Sequence, residues 1–234
     1  LTAQQQEYLD TIIRSGEHLL GLINDVLEMS KIEAGRASFN QISFDLHRQL
    51  NTLNEMWQPK ATAKGLQLTV ERQADVPQYI STDESKLRQV LMNLLSNAIK
   101  FTEAGQVTLR VSKSEVGMRG HKGPMNSTHS SLAPSPHLCF EVEDTGAGIA
   151  PEELKILFNA FSQTETGRKS QRGTGLGLAI SREFVQLMGG DLTLETQVGQ
   201  GTAFRFDIPL VVAAAVEGSP PQPHQRAIGL APNQ

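Results

Sequence analysis

The 234-residue chain has one cysteine, Cys139, which excludes an internal disulfide framework and suits a reducing compartment. It has no run near the ~20 apolar residues of a membrane span, and no signal-peptide pattern opens it. Aromatic residues are scarce, at 5%. There is no excess of basic charge: the net charge is −4, which removes any electrostatic reason to expect a nucleic-acid partner. What remains, 38% hydrophobic and 20% charged residues, is the composition of a globular protein with room for one large domain and an appendage.

Residues 1–34 are predicted to form one helix. Leu9, Ile12, Gly16, Leu19, Ile23, Val26 and Ser30 follow steps of three and four, a heptad seam with weak members at Gly16 and Ser30. Gly35 is placed to end it. An apolar stripe on a lone helix needs a partner, expected from another chain or from a segment upstream of Leu1. The main domain spans 35–212. Strands are predicted at "FNQISF", "LQLTVER", "QYIS", "QVTLRVS", "HLCFEVED", "DLTLET" and "TAFRFDIPL", and helices over 45–65, 82–101, 151–158 and 176–188. Residues 115–136, rich in Gly, Ser and Pro, read as a mobile insert, and 213–234 as a flexible linker. Helices and strands mix without regular βαβ repetition, so the expected class is α+β, a mixed sheet covered on one face by helices.

Four stretches bear on chemistry. In the helix at 82–101, Ser81 and Glu84 have capping-box spacing, and Leu87, Val90, Leu91, Leu94, Leu95 and Ala98 form the buried stripe. Asn93, Asn97 and Lys100 share a neighbouring face. Asparagine is a poor helix-interior residue, so the pair is either a set of core-edge amides or a polar wall over a cleft. In "CFEVEDTGAGI", Asp144 has the parity of Leu138, Phe140 and Val142. It is either an Asx-turn residue or a buried acceptor for a ligand amine. "LFNAFSQTETGRKSQ" opens with Phe158 and Phe161, expected core anchors, and continues as a polar loop carrying Arg168, Lys169 and Arg172, either solvated or a lid. "GTGLGLAIS" matches neither a Walker nor a Rossmann loop; it is a hinge or a set of bare N–H groups facing phosphate.

In order and spacing, "NLLSNAIKFT", "DTGAGI", "LFNAFSQ" and "GTGLGLAIS" resemble the N, G1, F and G2 boxes of sensor histidine kinases. "GQGTAFRFDIPL" is similar to that domain's closing strand, and "SGEHLLGLINDVLEMSKIEAGR" resembles the second helix of its dimerisation and phosphotransfer hairpin. The resemblance covers roughly residues 10–210. It implies a Bergerat-type α/β sandwich, preceded by a single long helix, that binds ATP and Mg²⁺ under a mobile lid. Carried over, Asp144 accepts the adenine amino group, and Gly146, Gly148 and Ile149 lie along the base with Phe101. Asn97 is the Mg²⁺ ligand, Asn93 lines the same site and Lys100 stands near the phosphates. Gly173, Thr174, Gly175, Leu176 and Gly177 form the phosphate loop, with Arg168 and Lys169 as lid cations.

The same fold serves ATPases of the gyrase, mismatch-repair and chaperone type, which place a water-activating glutamate where this chain has Asn93. An amide is no general base, so phosphoryl transfer is favoured over hydrolysis. A nucleotide-responsive binding module is the other alternative. Two departures from the family pattern are Arg172 and Ala160, where Gly or Glu and Pro are common. His18 is followed by "LLG" rather than the acidic residue and Arg-Thr-Pro run of the family's phosphoacceptor, so the acceptor is expected outside this sequence. The implied partners are ATP, a second copy through the helical hairpin, and a response regulator or receiver domain. The implied setting is cytoplasmic, for a parent protein either soluble or membrane-anchored.

Overall fold

The computed structural model describes residues 2–115, 136–162 and 174–214. Helix α1 (Ala3–Glu33) starts at a reciprocal capping box between Thr2 and Gln5. It closes where Gly35, at φ +64°, lets its own N–H reach Ile32 O and that of Arg36 reach Lys31 O. The seam residues Leu9, Ile12, Leu19, Ile23 and Val26 are exposed, and the last turns pack against the core through Met29 and Ile32.

Strand β1 (Ile42–Asp45) pairs with β3 (Tyr79–Thr82) in a small antiparallel sheet, which Val212 extends by bridging to Ile80. Strands β2 (Gln67–Arg72), β4 (Gln106–Ser114), β5 (His137–Asp144), β6 (Leu192–Gln197) and β7 (Gly201–Pro209) form a five-stranded sheet in the order β2-β4-β5-β7-β6. The β2–β4 pair is parallel and the other pairs are antiparallel. Helices α2 (Leu46–Ala63), α3 (Glu84–Phe101) and α5 (Gly177–Leu187) supply the other layer; α4 (Pro151–Leu154) is a single turn. This is the expected α+β arrangement.

Alternation explains why one sheet face is covered. Leu138, Phe140 and Val142 point inward with Val107, Leu109, Phe204 and Phe206 against the apolar stripes of the helices. The Phe140 and Phe206 rings stack at 4.7 Å. The outward positions carry an ionic lattice in which Arg110 pairs with Glu71, Glu141 and Glu143, and Arg205 with Glu141 and Glu195.

Three local expectations change. The cap of α3 is Asp83, not Ser81, because β3 runs through Thr82 and keeps Ser81 paired with Ser43. The buried Asp83 carboxylate accepts from the backbone N–H of Lys86 and of Asn40, at 3.0 and 2.9 Å, and pairs with the Lys86 ammonium. The predicted helix at 151–158 shrinks to α4 followed by turns. Phe158 packs against the core beneath the Arg182 guanidinium, but Phe161 is 65% exposed at φ +62°, a turn residue rather than an anchor. Nearly all of the predicted insert (116–135) and linker (215–234) lies outside the described residues.

Candidate nucleotide site

The floor of the site is the end of β5. Asp144 continues the inward row, paired with Val107 on one side and Thr202 on the other, and is 8% exposed. Its Oδ1 accepts from the Gly146 N–H at 2.8 Å, so the Asx turn exists and the carboxylate is buried as well. Burial pushes its pKa above the usual carboxylate value. Hydrogen bonds from the Gly146 and Thr202 backbone oppose this only in part, and the neighbouring Glu143 charge adds to it. A Cβ on Gly146 would lie 2.8 Å from both Asp144 Oδ1 and Phe101 O. Gly148 adopts φ +69°, and a Cβ there would collide with the Gln197 carbonyl. Two hydrogen bonds tie this loop to the β6–β7 turn: Gly199 N–H to Ala147 O (2.7 Å) and Ile149 N–H to Thr196 Oγ1 (2.9 Å).

One wall is α3. The Asn93 Nδ2 donates to Gly177 O (3.1 Å) and Ser181 Oγ (3.2 Å), so this amide bridges α3 to α5. A Cβ on Gly177 would sit 3.3 Å from it, which explains why the helix starts on glycine there. Asn97 lies one turn further along, half-buried. The Lys100 ammonium stands 4.6 Å from the centre of the Phe101 ring, and Phe101 is the half-buried last residue of α3. Thr102, the last residue of "NLLSNAIKFT" and not among the expected site residues, is fully buried and donates to Ala98 O at 2.7 Å.

The opposite edge is the start of α5. Gly175 adopts φ +72°, packed so closely on the backbone of Phe161 and Ser162 that a Cβ would lie 2.6 Å from Ser162 O. Leu176 is buried, and α5 begins with no side-chain cap. The Thr174 hydroxyl accepts from the Leu176 N–H at 3.0 Å and donates to Asp25 of α1 at 3.2 Å. It therefore faces the long helix, where its hydrogen bond partly offsets the burial that raises the Asp25 pKa. Arg168, Lys169, Arg172 and Gly173 lie outside the described residues.

Three features thus converge: a buried carboxylate beside a glycine turn, an amide-bearing helix, and an uncapped helix start entered through glycines. The family described as histidine kinase-, DNA gyrase B- and HSP90-like ATPases matches residues 82–212. The chain belongs to this ATPase family. The His Kinase A (phospho-acceptor) domain matches residues 1–35.

Among individual relatives, hybrid signal transduction histidine kinase B of Dictyostelium discoideum is 38% identical over 210 residues, which are 89% of this chain and 10% of that protein. The circadian input-output histidine kinase CikA of Synechococcus elongatus is 41% identical over 215 residues, 89% of this chain and 26% of that protein. Full-length ShkA, solved in complex with AMPPNP, superposes with a TM-score of 0.71 at 35% identity, over 92% of this chain and 41% of that one. The chain thus spans a minor part of each. No described helix is long and apolar enough to cross a membrane.

A Mg²⁺ ion fits the described residues as follows. Among the described residues, no group of three or more His, Cys, Asp or Glu side chains could hold a metal. Half-buried Asn97 offers a single neutral oxygen on the wall, which suits an ion whose other ligands are phosphates and waters.

Proposed function

We propose that this chain is the ATP-binding catalytic part of a sensor histidine kinase, whose parent protein passes the ATP γ-phosphate to a histidine in two-component signalling. The observation that carries the reading is the buried Asp144 carboxylate, held by the Gly146 N–H at the end of a core strand. A charge kept out of water with few donors is costly, and an exocyclic amine offers it a partner.

In this reading Asp144 accepts from the adenine amino group, with Gly146, Gly148 and Ile149 letting the base lie close to the backbone and Phe101 against it. Asn97 and the phosphates hold Mg²⁺, which neutralises phosphate charge when bound. Lys100, the lid cations Arg168 and Lys169, and the N–H groups from Gly173 to Gly177 receive the polyphosphate. Asn93 orients the start of α5, and as an amide it activates no water, which supports transfer to a positioned acceptor over hydrolysis. The exposed apolar seam of α1 supports dimerisation through a helical hairpin. A relative that is a hybrid kinase by name supports a receiver-domain partner, and we take 1–34, 35–212 and 213–234 as hairpin helix, catalytic domain and linker.

Labelled ATP and Mg²⁺ test this. The chain should bind both, and should transfer phosphate to histidine only when supplied with a hairpin carrying the acceptor. Phosphohistidine formed on the chain alone would put the acceptor within this sequence and overturn the reading of His18 as a non-acceptor. Steady phosphate release without any acceptor would revive the hydrolase.

A further inference from the structure

We propose that Lys64 is a positioning residue for the nucleotide site, clamping the C-terminal end of α3 against the Asp144 floor. The proposal rests on the adenine reading of that floor.

Helix α3 ends without a glycine. Phe101 is its last residue, and Thr102 turns extended at φ −92°, ψ 122° while its N–H returns to Ala98 O. The carbonyls of Ile99 and Lys100 then lack intrahelical donors, and they form the negative end of the helix. The Lys64 ammonium donates to both, at 2.8 and 2.7 Å. Lys64 belongs to a different element: it is the C-cap residue of α2. Helix α2 closes by backbone alone, with Gly65 at φ +74°, Gly65 N–H to Thr62 O and Leu66 N–H to Ala61 O. Its end makes no use of the Lys64 side chain, which is committed to α3.

The same four residues, 99–102, make the back of the floor. Phe101 O closes on Gly146, whose N–H holds the Asp144 carboxylate at 2.8 Å. Lys64 therefore holds from outside the segment whose inner side sets the position of Phe101 and of Asp144. Without the ammonium, two carbonyls compete for water and the last turn is free to fray, carrying Phe101 with it. A compact ammonium with three donors meets two converging carbonyls, and a guanidinium keeps the charge with a different geometry.

Calorimetric titration of ATP and ADP into wild type, Lys64→Met and Lys64→Arg, well below each melting temperature, tests the proposal. Lys64→Met should weaken both nucleotides equally, by about fivefold, because the floor meets the part they share. Lys64→Arg should recover most of the loss. Unchanged affinity in Lys64→Met with a lowered melting temperature would reduce Lys64 to a structural cap. A loss confined to ATP, or no recovery by arginine, would equally overturn the proposal. A wild type that binds neither nucleotide would remove the adenine reading itself and the proposal with it, a result distinct from equal binding by wild type and variant.

Discussion

The two ends of the site are built differently. At the floor, every contact is made within the main domain: Asp144 to Gly146, Gly146 against Phe101, and the 144–149 loop tied to the β6–β7 turn. At the start of α5 one contact reaches outside that domain, Thr174 on Asp25 of the long helix, while Asn93 crosses from α3 to Gly177 within it. In the proposed reading the floor binds the base, and it gains from being rigid before the ligand arrives, because binding then costs less ordering. In the same reading the start of α5 is the phosphate edge, and its tie to α1 is a single hydrogen bond that can be released and remade. Substitutions that disturb the floor should therefore cost more, in stability or in affinity, than loss of the Thr174–Asp25 contact at the edge.

Gly148→Val should produce the largest effect. The left-handed backbone and the Gln197 carbonyl leave no space for a side chain, so the expected stability loss is about 3 kcal/mol or more, read as a fall in the denaturation midpoint. A midpoint unchanged from wild type would mean the loop is not rigid.

Asp144→Asn should separate stability from binding. The amide still accepts from Gly146, yet it disfavours the adenine amine, and we expect at least about a tenfold loss of ATP affinity. Stability should hold or rise, because a carboxylate penalised by burial is gone. The pH dependence has a definite sign. Burial raises the folded pKa above 3.8, so the folded state keeps its proton longer than the unfolded chain. Wild-type stability should then fall, relative to Asp144→Asn, as pH rises from 3.8 through the folded pKa, and the difference should level off once both states are ionised. Urea melts of the two proteins across that range would show it. A difference that grows in wild type's favour would contradict the desolvated carboxylate.

Asn93→Ala should cost about 1–2 kcal/mol in denaturant melts by removing the bridge between α3 and α5. A neutral result would make the amide a bystander. The smallest effect belongs to the edge contact with α1: a double-mutant cycle of Asp25→Ala and Thr174→Val should give a coupling of at most about 1 kcal/mol. A larger coupling would erase the contrast between the two ends.

Much of this was legible because periodicity and parity are local. The inward row ending in Asp144 and the stripe of α3 follow from spacing alone, and the site motifs follow from their order. What was not legible depends on partners distant in the chain. Ser81 and Asp83 are both able caps, and the pairing of β3 with β1 decides between them. Phe161 looks apolar enough for a core, but its backbone turns it to solvent. Thr174 and Asp25 are 149 residues apart, and no pattern in either motif announces their contact. Lys64 reads as an ordinary surface lysine at the end of α2 until the end of α3 is placed beside it.

The most direct test of the floor is the preference of the wild-type chain between ATP and inosine triphosphate, measured by calorimetry with Mg²⁺ present. The two differ where a purine amino group is replaced by a carbonyl, which a carboxylate cannot accept from. The account predicts that ATP binds at least about thirtyfold tighter, and that Asp144→Asn narrows the gap. Equal affinities in the wild type would contradict it.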